Sequence, residues 1–307
     1  MRLLIIGASG LVGNELYSEA SKNGHLVLGT FLNHKLPGLE KLDYGNISDV
    51  KKILNSFSPE IILCPAANPN VDWNELNPKE AWENNVKNLN RLLEIASERK
   101  IDFGFFSTDY LFNGNEGLYT EESTPDPLNV YGKHKLAAEI MVNSFLPNNN
   151  YIFRTTLVFG CEKQKKNYLY TTLKNLSENK EMKSATDLIA TPTYARDIAR
   201  FVIKTIVDKK YGTYNLAGDD FISRFDFASK IAETFNLNKS LITPVKYNEL
   251  NLKTKRPLKG GLTNKKITES TGLHWTKLED ALKEVKEDLR KSEDTSDSKD
   301  IFVTFAP

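Results

Sequence analysis

The stretch Leu3-Leu4-Ile5-Ile6-Gly7-Ala8-Ser9-Gly10-Leu11-Val12-Gly13 decides the fold of this chain. Its first four residues are apolar, which is typical of a strand covered on both faces in a parallel sheet. Three glycines follow at G-x-x-G-x-x-G spacing, and a helical pattern then runs to Lys22, where Asn23-Gly24 ends it. In this context the free N–H groups of a helix N-terminus bind a pyrophosphate. We therefore predict a dinucleotide site here, with Ser9 among its contacts.

Strand and helix patterns alternate through the N-terminal half. Apolar strands are predicted at 25–29, 60–64, 103–107 and 151–155, and helices at 48–57, 77–96 and 131–143. Ser48 is the predicted N-cap of the first of these helices, and Asn77-Pro78 begins the second. This order predicts an α/β fold, a Rossmann-type doubly wound parallel sheet.

Beyond about residue 160 the alternation weakens. Helical patterns at 167–179, 195–209, 224–235 and 281–291 predict a smaller α+β lobe. We expect an NAD(P)-binding Rossmann domain over 1–160 and a mainly substrate-binding lobe over 161–291, with the chain free to cross between them. The polar tail over 292–307, which contains the apolar Ile301-Phe302-Val303, is expected to be mobile.

The composition excludes several classes of protein. Among 307 residues, 41 Lys and Arg balance 40 Asp and Glu, which argues against a domain-wide surface for nucleic acid or anionic lipid. Cys64 and Cys161 are the two cysteines, so neither a disulfide scaffold nor a multi-cysteine metal site is expected, and we predict no metal. With no membrane span or signal peptide apparent, we expect a cytoplasmic protein.

The end of the second predicted strand bears on the choice between NADPH and NADH. Asp or Glu at this point accepts the ribose hydroxyls of NAD, whereas basic residues suit the 2′-phosphate of NADP. The segment 29–35 holds no acid and ends in Asn33-His34-Lys35. We predict NADPH, with these three residues as contacts and NADH as the alternative cofactor. A plain solvated loop is the competing interpretation.

Tyr131 and Lys135 stand one helical turn apart, so their side chains share a face. A ketone that accepts hydride also needs a proton, which a tyrosine can donate. We expect the neighbouring ammonium to lower the tyrosine pKa from about 10. Thr108 follows a predicted strand, where ligands of open sheets bind, and its hydroxyl is suited to orient the carbonyl.

Several blocks together resemble the extended short-chain dehydrogenase/reductase superfamily and, within it, the dTDP-4-dehydrorhamnose reductase family. The resemblance covers about residues 1 to 290. Its blocks are Gly7 to Gly13, Ala66-Ala67 with Val71-Asp72, Ser107 to Phe112, Pro127 to Gly132 with Lys135, Phe153-Arg154-Thr155, Thr191-Pro192-Thr193, and Arg256-Pro257 with Leu262.

The resemblance implies NAD(P)H-dependent reduction of a nucleotide-activated 4-keto-6-deoxy sugar, in deoxysugar and cell-surface polysaccharide biosynthesis. Its implied catalytic residues are Thr108, Tyr131 and Lys135, with the last two also contacting the cofactor. Its other implied cofactor contacts are Gly7, Gly10, Leu11, Val12, Gly13, Asp43, Tyr44, Ala66 and Ala67. The implied partner is the sugar nucleotide, and a homodimer is left open.

Two segments depart from the family pattern around the sugar. The family commonly has Arg-Thr-Ser-Trp where this chain reads Arg154-Thr155-Thr156-Leu157, so a flat indole is replaced by an aliphatic side chain. The segment Asn68-Pro69-Asn70 replaces small residues and threonine. We expect Asn68, Val71, Asp109 and Leu157 to contact the substrate, whose sugar and nucleotide stay undetermined.

Other functions remain open. Dehydratases of this superfamily usually show Thr-Asp-Glu where this chain has Thr108-Asp109-Tyr110, and an epimerase is disfavoured by the absence of an NAD-selecting acid. The regulatory subunit of methionine adenosyltransferase resembles the same family, and in that alternative the dinucleotide site is structural. The run Lys163-Gln164-Lys165-Lys166 is either a solvated loop or an attractor for a diphosphate.

Overall fold

Thirteen strands and eleven α-helices form the part of the chain that this computed structural model describes, residues 1–295. The strands are β1 (Arg2–Ile5), β2 (Leu26–Phe31), β3 (Glu40–Lys41), β4 (Ile61–Cys64), β5 (Asp102–Thr108), β6 (Asn150–Thr155), β7 (Val158–Phe159), β8 (Met182–Ala185), β9 (Ile189–Ala190), β10 (Thr193–Tyr194), β11 (Gly212–Leu216), β12 (Ile222–Ser223) and β13 (Ile242–Val245).

The helices alternate with these strands through the first half of the chain. They are α1 (Leu11–Lys22), α2 (Ile47–Phe57), α3 (Val71–Leu76), α4 (Pro78–Trp82), α5 (Asn88–Glu98), α6 (Val130–Phe145), α7 (Tyr168–Ser177), α8 (Ala195–Val207), α9 (Arg224–Thr234), α10 (Lys265–Thr271) and α11 (Leu278–Thr295). A π-helical turn, Glu83–Lys87, joins α4 to α5.

Seven strands form one parallel sheet in the order β11-β6-β5-β4-β1-β2-β3. The carboxyl ends of parallel strands meet at one edge, so the residues that follow β1, β4 and β5 lie together. The prediction of a doubly wound α/β fold is confirmed. The remaining strands form three two-stranded sheets, β7 with β10, β9 with β12, and β8 with β13.

The apolar run of β1 explains why this sheet is buried on both faces. Leu3 and Ile5 pack into the layer that contains α1 and α8, whereas Leu4 and Ile6 pack into the layer that contains α2, α5 and α6. All four side chains are essentially inaccessible to water. A central parallel strand needs this continuous apolar sequence, because successive side chains point to opposite faces.

The second half of the chain contributes to both parts of the molecule. Helices α7, α9 and α11 pack around a separate core that includes Phe159, Phe227 and Leu282. Strand β11, however, returns to the central sheet and pairs with β6 along its full length. The chain therefore crosses from the region after residue 160 back into the Rossmann part.

Several local features differ from the sequence prediction. Helix α2 is capped by Asn46 and not by Ser48, because the Asn46 carboxamide accepts hydrogen bonds from the N–H groups of Ser48 and Asp49. Helix α4 begins at Pro78 as predicted, but α3 precedes it and the π-helical turn interrupts its continuation. Strand β11 has no counterpart among the predicted elements.

The C-terminal helix extends beyond its predicted end. Helix α11 runs to Thr295, so the first residues of the predicted tail are helical. Residues 296–307, with Ile301-Phe302-Val303, lie outside the described residues. Within residues 1–295, no helix combines the length and the apolar character needed to cross a membrane.

Candidate active site

The glycine turn between β1 and α1 has a geometry that other residues do not fit. Gly7 has a φ of +93°, a conformation that favours glycine, and the N–H of Gly10 donates to its carbonyl oxygen at 3.1 Å. A Cβ on Gly13 would lie 2.2 Å from that same oxygen, and a Cβ on Gly7 would lie 2.9 Å from the Cβ of Ala66. The turn thus brings the start of α1 close to the ends of β1 and β4.

The N-terminus of α1 is suited to bind an anion. Its N-cap, Gly10, has no side chain to satisfy the first N–H groups, and no acidic residue occupies the first turn. The unpaired N–H groups and the helix dipole favour a negative charge at this point. The predicted residues Gly7 to Gly13 therefore fit a dinucleotide diphosphate.

The residues after β2 and β3 lie along the same edge. Asn33, His34 and Lys35 are all exposed after the buried Phe31, so their donors are accessible to a ligand. The Tyr44 hydroxyl donates to the Asn84 carbonyl oxygen at 2.7 Å, and the Asp43 carboxylate accepts from the N–H of Gly45 at 2.9 Å. Of the two, Tyr44 is half-buried and Asp43 exposed.

An asparagine network shapes the segment after β4, and the sequence analysis did not identify it. The N–H of Asn68 donates to the Asn85 carboxamide, which in turn donates to Asn74 at 2.7 Å. Asn74 then donates to the carbonyl oxygens of Asn68 and Asn70. Asn85 lies in the π-helical turn, a feature frequent at functional sites. Asn68 and Asn70, which differ from the family pattern, are therefore part of this hydrogen-bonded loop.

The three predicted catalytic side chains come together at the end of β5. Thr108, Tyr131 and Lys135 are 6%, 8% and 5% exposed, so all three lie in a site with little water. Asn129 caps α6 by accepting from the N–H of Gly132 at 2.9 Å. A Cβ on Gly132 would lie 2.2 Å from the Tyr110 carbonyl oxygen, so this glycine lets α6 approach the residues after β5.

The Lys135 ammonium is directed at the backbone of β5. It donates to the Phe106 carbonyl oxygen at 2.6 Å and lies 6.0 Å from the centre of the Tyr131 ring. Burial lowers the pKa of Lys135 to about 8. Burial and, next, the nearby Asp109 carboxyl raise the pKa of Tyr131. The net pKa of Tyr131 is therefore raised in this site and not lowered as expected, because burial is the largest cause, and the phenol stays protonated.

Asp109 lies directly behind Thr108 and is 5% exposed. Its carboxylate accepts from the Thr156 hydroxyl at 2.7 Å and from the N–H of Gly261 at 3.3 Å, and the Thr108 hydroxyl contacts it at 3.3 Å. Burial raises the pKa of Asp109, against the effect of these donors. The sequence analysis noted Thr156 only within a segment that differs from the family pattern. Its contact with Asp109 could not be predicted, because 47 residues separate the two.

The other predicted substrate contacts lie around this group. Leu157 follows Thr156 and has a φ of +39°, and its side chain packs against the core that contains Phe159. Val71 begins α3, which packs against α6, and it is half-buried. No group of three or more His, Cys, Asp or Glu side chains suited to a metal ion occurs in residues 1–295.

The run 163–166 lies beside the glycine turn. The Gln164 side chain donates to the carbonyl oxygen of Ser9 at 3.3 Å, across 155 residues of sequence. This long-range contact brings the run next to the site predicted for the dinucleotide.

Comparison with known proteins gives concordant results. The profile described as "RmlD substrate binding domain" matches residues 1–291. A dTDP-4-dehydrorhamnose reductase of Aggregatibacter actinomycetemcomitans is 32% identical over 93% of this chain and 98% of its own length. The solved dTDP-4-dehydrorhamnose reductase of Bacillus anthracis, in complex with NADP, is 27% identical, covers 94% of this chain and 99% of its own, and has a TM-score of 0.84.

A relative with another description is similar at almost the same level. Methionine adenosyltransferase 2 subunit beta of Xenopus laevis is 30% identical over 80% of this chain and 75% of its own length. Proteins of both descriptions are similar to this chain, so overall similarity does not decide between their functions. The residues of the site have to decide.

Proposed function

The chain belongs to the RmlD substrate binding domain family, and from this premise we propose that it is an NADPH-dependent reductase of a nucleotide-linked 4-keto-6-deoxy sugar. The observation that carries the proposal is the grouping of Thr108, Tyr131 and Lys135 at the end of β5, one strand from β4 and two from the glycine turn.

The cofactor is held, in this proposal, by the glycine turn and the exposed ends of the neighbouring strands. Gly7 to Gly13 bind its diphosphate, and Asn33, His34 and Lys35 bind the 2′-phosphate. Asp43-Tyr44 lies beside the adenine. Ala66-Ala67 lies beside the dinucleotide, and the Ala66 N–H donates to the Ile6 carbonyl oxygen, which keeps the ends of β4 and β1 together. The bound nicotinamide supplies the hydride that the keto carbon accepts.

Tyr131 donates the proton that completes the reduction. A proton donor has to be in its protonated form at the working pH, and the raised pKa of Tyr131 ensures that form. Thr108 orients the carbonyl beside the phenol. Lys135, fixed by the Phe106 carbonyl oxygen, holds the cofactor ribose and offsets the negative charge that Tyr131 acquires when it gives up its proton.

The sugar lies against the segment after β4 and the residue after Thr156. We propose Asn68, Val71 and Leu157 as its contacts, with Asp109 supporting Thr108 from behind. The aliphatic Leu157 offers apolar area without a stacking face, so the sugar need not be the one that family members with tryptophan prefer.

A second candidate function follows from the methionine adenosyltransferase relatives. In that alternative the chain binds a dinucleotide as a structural ligand and regulates a catalytic partner. The departures at Asn68 and Leu157 are compatible with it, because a regulatory subunit does not need a complete sugar site.

The test is NADPH oxidation in the presence of a dTDP-4-keto-6-deoxy sugar, with NADH in parallel. Tyr131→Phe should bind NADPH normally and lose at least about a hundredfold in turnover. Tyr151→Phe is a matched control, because Tyr151 is also buried but its side chain belongs to the sheet core. Near-normal turnover in Tyr131→Phe would refute the mechanism. Tight NADPH binding without any turnover by the unmodified protein would favour either another keto sugar as the substrate or the regulatory function.

A further inference from the structure

The basic loop, which we define as residues 161–167, is fixed against the glycine turn by contacts on both sides of it. Gln164 donates to Ser9 within the turn itself. Gly160, the residue before the loop, has a φ of +154°, and a Cβ there would lie 3.3 Å from the Leu11 side chain. Leu11 is the first residue of α1, so the loop begins where that helix begins.

Glu162 fixes the shape of the basic loop. Its carboxylate oxygen Oε1 accepts from the N–H of Lys166 at 2.9 Å, and from the N–H and carboxamide of Asn167 at 2.7 and 3.0 Å. The acidic side chain of the loop is thereby directed inward, at its own backbone. Lys163 and Lys166 are exposed, so their charges face outward from a loop of defined shape.

These features place positive charge beside a site already suited to an anion. The start of α1 offers uncapped N–H groups and no acidic residue in its first turn. The loop adds two exposed lysines, one and two residues away from Gln164, which contacts Ser9. A diphosphate is the ligand class that matches both the helix terminus and the lysines.

We propose that the basic loop clasps the diphosphate bridge of the dinucleotide, with Lys163 and Lys166 as its cations. The inference rests on the proposed function in one respect only, that a dinucleotide occupies the glycine turn. The diphosphate of the sugar nucleotide has the same chemistry, but the contact with Ser9 favours the cofactor as its source.

The test compares NADPH binding, without substrate, between the unmodified protein and the double variant Lys163→Gln, Lys166→Gln. We expect the Kd for NADPH to rise about fivefold to tenfold at low salt, and the difference to shrink at high salt because exposed charges are screened. Reduced nicotinamide mononucleotide, which lacks the diphosphate bridge, should bind both proteins equally. The control Lys51→Gln, Lys52→Gln removes two exposed charges from α2 and should leave NADPH affinity unchanged.

A second variant tests the geometry of the clasp without changing its charge. Gln164→Ala removes the contact with Ser9 and should weaken NADPH binding, and this loss should also shrink at high salt because it acts through the placement of the two lysines. An unchanged NADPH Kd in the double lysine variant would overturn the proposal, as would an equal loss in the α2 control. A loss confined to dTDP binding would assign the lysines to the substrate and overturn it too. If NADPH binding behaves as expected but no keto sugar is reduced, the proposed function fails and the clasp stands.

Discussion

The ammonium of Lys135 donates a 2.6 Å hydrogen bond to the carbonyl oxygen of Phe106, two residues before Thr108 in β5. The same ammonium lies 4.6 Å from the centre of the Phe105 ring. A cation on α6 is therefore held by the strand that ends in Thr108, and sheet and helix together set its position. Burial at this contact lowers the pKa of Lys135 to about 8.

We predict a pH dependence of turnover that originates from this lysine. Lys135 is charged below its pKa and neutral above it, so turnover should fall as the pH rises through about 8. The cause is the loss of the positive charge that offsets the tyrosinate of Tyr131. Lys135→Met should lower kcat by about a hundredfold, and its residual rate should lack this fall. The measurement is kcat against pH at saturating NADPH.

Lys133→Met is the matched control for this experiment. Lys133 lies on the same helix but is exposed, so its removal should preserve both the rate and the pH dependence. A fall near pH 8 that persists in Lys135→Met would assign the titration to another group.

Asp109→Ala is predicted to destabilise the fold. The variant leaves the Thr156 hydroxyl and the Gly261 N–H without their acceptor in a site closed to water. Each unsatisfied buried group costs about 1–3 kcal/mol, so we expect a loss of about 2–5 kcal/mol in the free energy of unfolding, measured with urea. Asp43→Ala, at an exposed carboxylate with one backbone contact, should cost less than about 1 kcal/mol. Equal losses in the two variants would contradict this account.

The nucleotide-binding part of the fold could be predicted because its signals are local. The apolar run of β1, the glycines from Gly7 to Gly13 and the helix to Lys22 are consecutive, and α1 has the bounds that the sequence predicts. Tyr131 and Lys135 likewise form a pair within one helical turn. In each case the sequence spacing alone determines which groups are neighbours.

The features that the sequence did not predict depend on contacts between residues far apart in the chain. Strand β11 escaped prediction because it carries the buried, polar Asn215, whose carboxamide donates to the Tyr119 carbonyl oxygen, 96 residues away. The pairing of Thr156 with Asp109 and that of Asn74 with Asn85 are also set by packing. The Lys135 ammonium points at the Phe106 carbonyl oxygen, a contact that the spacing of residues along the helix does not predict.

Removing one partner of the buried ion pair between Arg154 and Glu139 is predicted to destabilise the fold more than removing both partners. The guanidinium donates to both carboxylate oxygens, at 3.0 and 2.8 Å, and the two side chains are 8% and 5% exposed. Arg154→Met leaves a buried carboxylate without its partner and should cost about 3–5 kcal/mol. Urea unfolding measures the change.

The double variant Arg154→Met, Glu139→Leu should recover most of this loss, because no buried charge is left unpaired. The exposed pair of Lys52 and Asp49 provides the comparison, and Asp49→Asn should change stability by less than about 1 kcal/mol. A double variant as unstable as Arg154→Met alone would show that packing, and not the unpaired charge, determines the loss.

Asn33→Asp is predicted to shift the cofactor preference from NADPH towards NADH. The segment from Gly29 to Lys35 carries no acid, and Asn33 is exposed after β2, where a carboxylate accepts the ribose hydroxyls of NADH and repels a 2′-phosphate. The ratio of kcat/KM for NADPH to that for NADH should fall at least about tenfold, which corresponds to about 1.4 kcal/mol. Lys35→Met should lower kcat/KM for NADPH alone. Asn33→Ser, which adds no charge, should leave the ratio nearly unchanged, and an equal ratio in all three variants would mean that this segment does not select the cofactor.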